Sequence, residues 1–340
     1  MTSSLPPSDA VLPGITLDQH LLRRQRYIPE ATGDFTGLFQ QLTLAAKVIA
    51  SRVRRAGLTN QLGATGEVNV QGEVVQKLDD LANATVLQSI DNGRFVGIAA
   101  SEELPDPVVF DTVRGRGKYA LVFDPLDGSG NLDVNGTTGT IFAIYRRLHP
   151  LEAPSLRDIL QPGSALVAAG YVVYGSSTIF VYSTGKGLYG FTYDPSLGEF
   201  FLSHPEISIP QHGKIYSLNE ANAAKWHPGL RRWLKDAKGH TADGWSLRYS
   251  GAMVADVHRI FLQGGIFAYP AETERPLGKL RLLCEAAPIA FLARAAGGLA
   301  TDGRTPILEV EPHTLHQRTP LFVGSTALVE EVMAALRQDS

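Results

Sequence analysis

Between Tyr119 and Asn131 the chain reads YALVFDPLDGSGN, and no other stretch restricts the possible fold so tightly. Tyr119 to Phe123 is an apolar run with the length of a short buried strand. Pro125 and Gly128 then punctuate a sharp turn. Asp124 and Asp127 therefore sit at the mouth of a strand, followed by the small residues Gly128 and Ser129. Carboxylates hold hard cations such as Mg²⁺, which keep open positions for phosphate oxygens. Free backbone N–H groups at Gly128 and Ser129 suit the phosphate itself. A solvated Asp/Gly/Ser turn after an edge strand is the plainer alternative.

The same pattern occurs a second time. Phe95 to Ala100 is strand-like and ends in Ser101-Glu102-Glu103-Leu104. Two strand ends bearing four acids can converge in a parallel or mixed sheet, where ligands bind beyond the strand ends. Carboxylates ~4 Å apart repel by roughly 4 kcal/mol per pair at an intermediate dielectric. A bound cation reverses that sign. Surface acids that never meet are the alternative.

At 340 residues the chain exceeds what one compact core usually spans, so two domains are expected. With 44% hydrophobic and 19% charged residues it can bury large cores, which excludes wholesale disorder. A net charge of −3 gives no reason to expect nucleic-acid binding or a basic membrane face. Cys284 is the one cysteine, so an intrachain disulfide is excluded and a reducing, cytoplasmic setting fits. No apolar run approaches ~20 residues, the length of a membrane span. The opening MTSSLPPSDAVLPG lacks a basic segment followed by an apolar one and reads as a flexible tail rather than a signal peptide.

Phe35 to Ala56 has the spacing of an amphipathic helix, through Phe35, Leu38, Phe39, Leu42, Ala46, Ile49 and Val53. Thr32-Gly33-Asp34 is its expected cap, and its first turn could hold an anion. Leu58 to Gln71 is glycine-rich and polar, a candidate mobile loop. Glu73 to Ile90 has helical spacing and carries Asp79 and Asp80. Gly139 to Tyr145 reads as a strand. Ala165 to Leu202 reads as antiparallel hairpins, with a domain boundary near Ser203-His204-Pro205. Beyond it strands and helices alternate: strands at 214–218, 265–269 and 321–324, helices at 253–262, 285–296 and 326–337. Pro288 falls in the first turn of the 285–296 helix, where proline is tolerated.

Strand-end acids beside a Gly-Ser turn suggest metal-assisted phosphoryl transfer to water. Phosphate monoesters hydrolyse so slowly that enzymatic accelerations reach ~10²¹, which favours a metal. There is no GxxxxGK[ST] loop and no H-E-x-x-H.

Asp124-Pro125-Leu126-Asp127-Gly128-Ser129 resembles the D-P-x-D-G-[ST] signature of the lithium-sensitive, metal-dependent sugar and inositol phosphatases. Longer matches narrow the resemblance. Ser101-Glu102-Glu103, Arg116-Gly117-Lys118-Tyr119, Gly139-Thr140-Ile141-Phe142, Leu160-Gln161-Pro162-Gly163, the run from Gly251 to Arg259 and that from Gly278 to Leu283 all resemble class I fructose-1,6-bisphosphatase. The resemblance spans about Thr32 to Ser325.

It implies an α/β, mixed α+β chain with a two-domain, layered α-β-α-β-α architecture. Residues 1–203 would hold metal ligands and an effector site, and residues 204–340 the 6-phosphate and sugar contacts. Glu102, Asp124, Asp127 and Glu285, with the carbonyl of Leu126, match the family's Mg²⁺ ligands, where Mn²⁺ or Zn²⁺ can substitute. Glu73 stands where the family often has an Asp ligand. Glu103 and Asp79 match the acids that polarise the attacking water. Gly128 and Ser129 match the cradle of the 1-phosphate. Asn219, Tyr249, Tyr269 and Lys279 match the 6-phosphate clamp, and Arg248 the arginine that arrives from a neighbouring subunit. Gly251 and Met253 match sugar contacts. Thr32, Gly33, Asp34, Phe35 and Thr36, with Lys118, Tyr119 and Arg146, resemble the family's AMP site.

The implied reaction is hydrolysis of the 1-phosphate of fructose 1,6-bisphosphate, in gluconeogenesis or the Calvin cycle, by an AMP-inhibited homotetramer. Three departures stand out: Gly130 replaces a serine, Asn222 a phosphate-binding tyrosine, and Ala252 another serine. Sedoheptulose-1,7-bisphosphatase is therefore the near alternative. A non-catalytic sugar-phosphate sensor and an inositol monophosphatase-like enzyme are the others.

Overall fold

The computed structural model describes residues 14–25, 33–59, 61–68, 74–110, 117–239 and 241–338. The expected tail at 1–13, Thr32 and Glu73 lie outside them. In chain order come α1 (Leu17–Gln25), α2 (Asp34–Val53), β1 (Ala64–Val68), β2 (Val74–Gln76), α3 (Lys77–Gly93), β3 (Val96–Ser101), β4 (Val108–Val109), β5 (Tyr119–Asp127) and β6 (Thr138–Arg146). The hairpins follow as β7 (Leu166–Tyr174), β8 (Thr178–Ser183), β9 (Tyr189–Asp194) and β10 (Glu199–His204). Then come β11 (Ile215–Ser217), α4 (Pro228–Gly239), β12 (Ser246–Leu247), α5 (Met253–Gln263), β13 (Ile266–Tyr269) and β14 (Leu280–Arg281). A single π-turn, Leu282–Ala286, leads into α6 (Ala287–Ala295), followed by β15 (Leu299–Thr301), β16 (Arg318–Thr319), β17 (Leu321–Gly324) and α7 (Thr326–Arg337).

The first eight-stranded sheet has the order β10-β9-β8-β7-β6-β5-β3-β4. Only β3 and β5 run parallel within it. That pair sends Ser101 and Asp124 to the same edge, because β3 and β5 both end there. The second sheet has the order β12-β11-β13-β17-β15.

Strand alternation decides the layers. On β5, Leu121 and Phe123 face α2 and α3, packing with Leu38, Phe39, Leu78 and Val86. Ala120 and Val122 face the other way, into a core with Val254, Val257, Phe261, Phe291 and Leu292 from α5 and α6. The far side of α5 and α6 meets Phe267 and Val323 of the second sheet. Ile266, Ala268 and Phe322 on that sheet's outer face pack against Leu230, Trp233 and Val329 of α4 and α7. The result is the layered α-β-α-β-α arrangement.

Two local expectations change. Helical structure begins at Lys77, because Val74–Gln76, expected as helix, pairs antiparallel with Ala64–Val68. The same pairing makes part of the 58–71 segment strand rather than loop. Near Glu285, the helix proper starts at Ala287, and Glu285 itself lies in the preceding π-turn.

Candidate active site

β5 is buried along its whole length, carboxylates included. Its pairing with β6 is regular from Tyr119 to Asp124, then breaks before resuming at Asp127↔Gly139. Pro125 and Leu126 fall in this irregular stretch. The Pro125 carbonyl accepts the Thr140 hydroxyl at 2.8 Å. Asp124 accepts the Leu126 N–H at 2.9 Å, which fixes its carboxylate against the turn. Gly128 follows in the left-handed region at φ 73. A Cβ there would stand 2.4 Å from the Ala252 Cβ, so only glycine lets the turn press against the start of α5.

Asp127 closes that contact from the other side. Its two oxygens accept the N–H groups of Met253 (3.4 Å) and Val254 (2.7 Å), in the first turn of α5. Unpaired N–H groups at a helix start favour a negative charge. Burial and the Glu285 carboxylate work against it and raise the Asp127 pKa to about 7.

Glu102 and Glu285 reach the same centre from β3 and the π-turn. Ligand atoms of Asp124, Asp127 and Glu285 lie within 4.8 Å of one another, as do those of Glu102, Cys284 and Glu285. Arg281 passes between the two glutamates. Its Nη2 is 2.9 Å from Glu102 and its Nη1 3.7 Å from Glu285, and its backbone N–H donates to Glu285 at 2.5 Å. One arginine does not neutralise four buried carboxylates. Burial first, then the charges of Glu102, Asp127 and Glu285, raise the Asp124 carboxyl well above its ordinary range. Burial and the carboxylates of Glu102, Glu285 and Asp124 also push the Cys284 thiol up. Clustered, buried oxygen donors with excess negative charge fit a hard divalent cation.

Asp79 sits in the first turn of α3 and accepts the Gln76 N–H at 2.9 Å. It is 4% exposed. Burial raises its pKa to about 7; the Glu103 charge adds to this, while a hydrogen bond from the Ser129 hydroxyl opposes it. Asp79, Glu103 and Ser129 thus meet beside the acidic centre. Gly130 has open space where a side chain would begin. Asn131 donates to the Thr137 and Ser250 carbonyls, both at 3.2 Å, which ties the turn to the segment before α5.

The Tyr249 and Tyr269 hydroxyls are 3.0 Å apart, and the Lys279 ammonium lies 5.6 Å from the Tyr269 ring centre. Burial and the Tyr249 contact raise the Tyr269 pKa, and the charges of Asp127 and Glu285 add to it. Tyr269 therefore feels the acidic centre. Asn219 caps the 3₁₀ turn Glu220–Lys225, its side-chain oxygen accepting from the Ala221 N–H at 3.2 Å. Arg248 is exposed and donates to the Leu247 carbonyl at 2.8 Å. Gly251 has φ 84, and Met253 is buried.

The expected effector residues also converge, away from the acids. Gly33 caps α2 with φ 85. Asp34 pairs with Lys118 at 2.5 Å. The Phe35 ring meets Tyr119 edge-on, centres 6.0 Å apart. Tyr119 and Arg146 are cross-strand partners, and the Arg146 side chain donates to the Tyr119 hydroxyl. Thr36 is buried.

Arg281 is the site residue that sequence reading passed over. It lies within the GKLRLL run, but its role depends on Glu102, far off in the chain. Local spacing carries no such signal.

Two family models match, "Fructose-1-6-bisphosphatase, N-terminal domain" over residues 15–205 and "Fructose-1-6-bisphosphatase, C-terminal domain" over 209–337. The class 1 fructose-1,6-bisphosphatase of Nitratidesulfovibrio vulgaris is 51% identical over 328 residues, covering 94% of this chain and 97% of that one. The enzyme of the same name from Persephonella marina is 49% identical, covering 94% and 98%. The structure of Leishmania major fructose-1,6-bisphosphatase in holo form superposes with a TM-score of 0.90 at 40% identity, over 95% of this chain and 98% of that one. Matches of this identity and coverage place the chain in the class 1 fructose-1,6-bisphosphatase family.

Proposed function

We propose that this chain hydrolyses the 1-phosphate of fructose 1,6-bisphosphate, releasing fructose 6-phosphate and inorganic phosphate. The observation that carries this reading is a site with two ends, near enough that the charges of Asp127 and Glu285 act on Tyr269. At one end stand Glu102, Asp124, Asp127 and Glu285, with Asp79 and Glu103 beside them. At the other stand Tyr249, Tyr269 and Lys279. A monophosphate would need only the first end.

Glu102, Asp124, Asp127 and Glu285 would hold Mg²⁺, with the Leu126 carbonyl and with Glu73 as a further ligand; Mn²⁺ or Zn²⁺ could take the same oxygens. Bound there, the cation supplies Lewis-acid neutralisation of phosphate charge and lowers the pKa of a water. Gly128 and Ser129 orient the 1-phosphate against the turn. Asp79, with a pKa near 7, accepts the proton of the attacking water, and the Glu103 carboxylate keeps that water directed. Tyr249, Tyr269, Lys279 and Asn219 hold the 6-phosphate, while Gly251 and Met253 contact the sugar. Arg248, exposed as it is, would complete the clamp of a neighbouring subunit in a homotetramer. Residues 1–203 then form the metal and effector unit and 204–340 the sugar-phosphate unit. AMP would enter at the start of α2, where Gly33, Asp34, Phe35, Thr36, Lys118, Tyr119 and Arg146 gather, with Thr32 preceding them. The reaction belongs in the cytoplasm.

The test is phosphate release from fructose 1,6-bisphosphate and sedoheptulose 1,7-bisphosphate in parallel, with Mg²⁺ and then with EDTA. Mg²⁺-dependent release from the fructose substrate, faster than from the sedoheptulose one, is expected. Release that survives EDTA would end the metal reading.

A further inference from the structure

A cavity of about 530 Å³ opens on the outer side of the second sheet, between α4, α7 and the segment 270–277. None of the acids of the catalytic centre lines it. Its size falls in the range of small-molecule sites, roughly 300–1,000 Å³. Its walls are chemically divided. Val310, Phe322 and Leu336 give it an apolar interior. Arg304, Arg318 and Arg337 contribute three cations. The one acid in the lining, Asp302, is directed into its own turn, accepting the N–H groups of Arg304 and Thr305 at 2.7 Å each. Leu277, 70% exposed, also lines it.

We propose that this cavity is a ligand site for a small organic anion, an oxyanion head on an apolar body, and that its occupancy is felt at the sugar-phosphate clamp. Guanidinium groups match phosphate and carboxylate oxygens in pairs, which suits the head. The apolar interior suits the body.

The coupling follows from shared walls. Pro270 and Ala271 line the cavity directly after Tyr269, and Leu277 lines it two residues before Lys279. The segment between is a closed unit: Glu272 and Arg275 exchange backbone hydrogen bonds at 3.1 and 2.9 Å, and the Gly278 N–H donates to Arg275 at 3.0 Å. Gly278, at φ 76, lies so close to the chain before Pro320 that a Cβ would meet the Pro320 nitrogen at 2.5 Å. On the same wall, Arg318 and Thr319 pair with Arg281 and Leu280. A ligand that presses on Pro276 and Leu277 therefore moves the segment that carries Tyr269 at one end and Lys279 at the other. This second half of the proposal rests on the fructose-1,6-bisphosphatase reading of the clamp; the binding half does not.

The test uses the full chain and the fluorescent aromatic sulfonate 1-anilinonaphthalene-8-sulfonate. The wild type, R304E/R337E and V310W are titrated, the first variant reversing charge and the second filling the cavity from another wall. Each is checked for an unchanged melting temperature and an unchanged KM and kcat without the probe. Saturable binding by the wild type is expected, weakened roughly tenfold or more in R304E/R337E and lost in V310W. Phenylphosphonate and benzoate are then used in turn to displace the probe; whichever acts at the lower concentration identifies the preferred head group. Saturating probe should shift the wild-type KM for fructose 1,6-bisphosphate at least twofold and leave that of R304E/R337E alone. Equal probe binding by wild type and R304E/R337E, or displacement by neither competitor, would overturn the site. Probe binding that leaves KM unmoved would overturn the coupling. If V310W fails to fold, the charge-reversal pair still decides the question. A chain that binds the probe yet turns over no bisphosphate would leave the site standing and refute only the assigned reaction.

Discussion

The acidic centre and the corner at the start of α2 are both built from charged side chains next to β5, yet they solve opposite problems. In the centre, four buried carboxylates share one arginine among the described residues, and burial, then the neighbouring carboxylates, hold Asp124 far from its ordinary ionisation. At the corner, Asp34 is matched by Lys118 at 2.5 Å, and both side chains keep about a third of their exposure. The first arrangement is incomplete without a cation. The second is already paired, and under the proposed AMP reading its ion pair must open to receive the phosphate. Sites of the first kind concentrate chemistry and strain the fold; sites of the second kind cost little to keep and can be switched.

The sharpest way to break this contrast is at Asp124. The D124N variant is expected to lose activity by roughly a hundredfold to a thousandfold, as cation-held phosphate charge is lost. In EDTA the same variant should melt higher than wild type, because one repelling carboxylate is gone. A variant that loses activity and also melts lower in EDTA would mean the centre is not strained.

Next in size is Arg281, the one cation inside the centre among the described residues. R281M should reduce kcat/KM about ten- to a hundredfold by releasing Glu102 and Glu285 from their positions, and should raise the Mg²⁺ concentration needed for half activity. An unchanged Mg²⁺ requirement would make Arg281 a packing residue only.

The third test is pH. The Asp79 pKa is raised in the fold to about 7, so the folded chain favours the protonated form. Its contribution is fully present below the unfolded value near 4 and is lost as pH rises towards 7. In EDTA, urea unfolding should therefore show stability falling by up to a few kcal/mol between pH 4 and pH 7. D79N should make that slope shallower, with Asp124 and Asp127, whose carboxyls are also raised, supplying what remains. Stability that rises over the same interval would contradict the environment described for Asp79.

The smallest effect belongs to the corner. K118A should weaken AMP inhibition about tenfold, the loss of one charge-assisted contact. The basal rate should stay within about twofold, because Lys118 touches no acid of the centre. A full loss of basal activity would join the two regions that the contrast keeps apart.

Much of this was legible in the chain itself, for identifiable reasons. The strand under Asp124 and the hairpins after Ala165 are long apolar runs with clear turn signals. Helix α7 has the bounds that its spacing predicts, 326–337. Other parts depended on partners distant in sequence. Val74–Gln76 has apolar residues at helical spacing from α3, but pairing with Ala64–Val68 takes it into a hairpin. Helix α4 was overlooked although Leu230, Trp233, Leu234 and Ala237 recur on one face; His227-Pro228-Gly229 before it reads as a turn. In the site, Asp124, Asp127, Glu102 and Glu103 announced themselves as strand-end pairs. Arg281 and the capping of α5 by Asp127 did not, since both rest on contacts across more than a hundred residues.

The π-turn at Leu282–Ala286 has a consequence for how such a chain can vary in length. A π-turn is an α-helix carrying one surplus residue. Remove one residue from it and an ordinary helical turn results, with good hydrogen bonds and no obvious defect. Everything on one side of the cut would then rotate by about 100° relative to the other. Glu285 would leave the centre while Arg281 stayed, or the reverse. Insertions and deletions here would pass a test of folding and fail a test of chemistry. Sequence comparisons that place gaps freely in this segment would therefore misassign the acid that closes the centre.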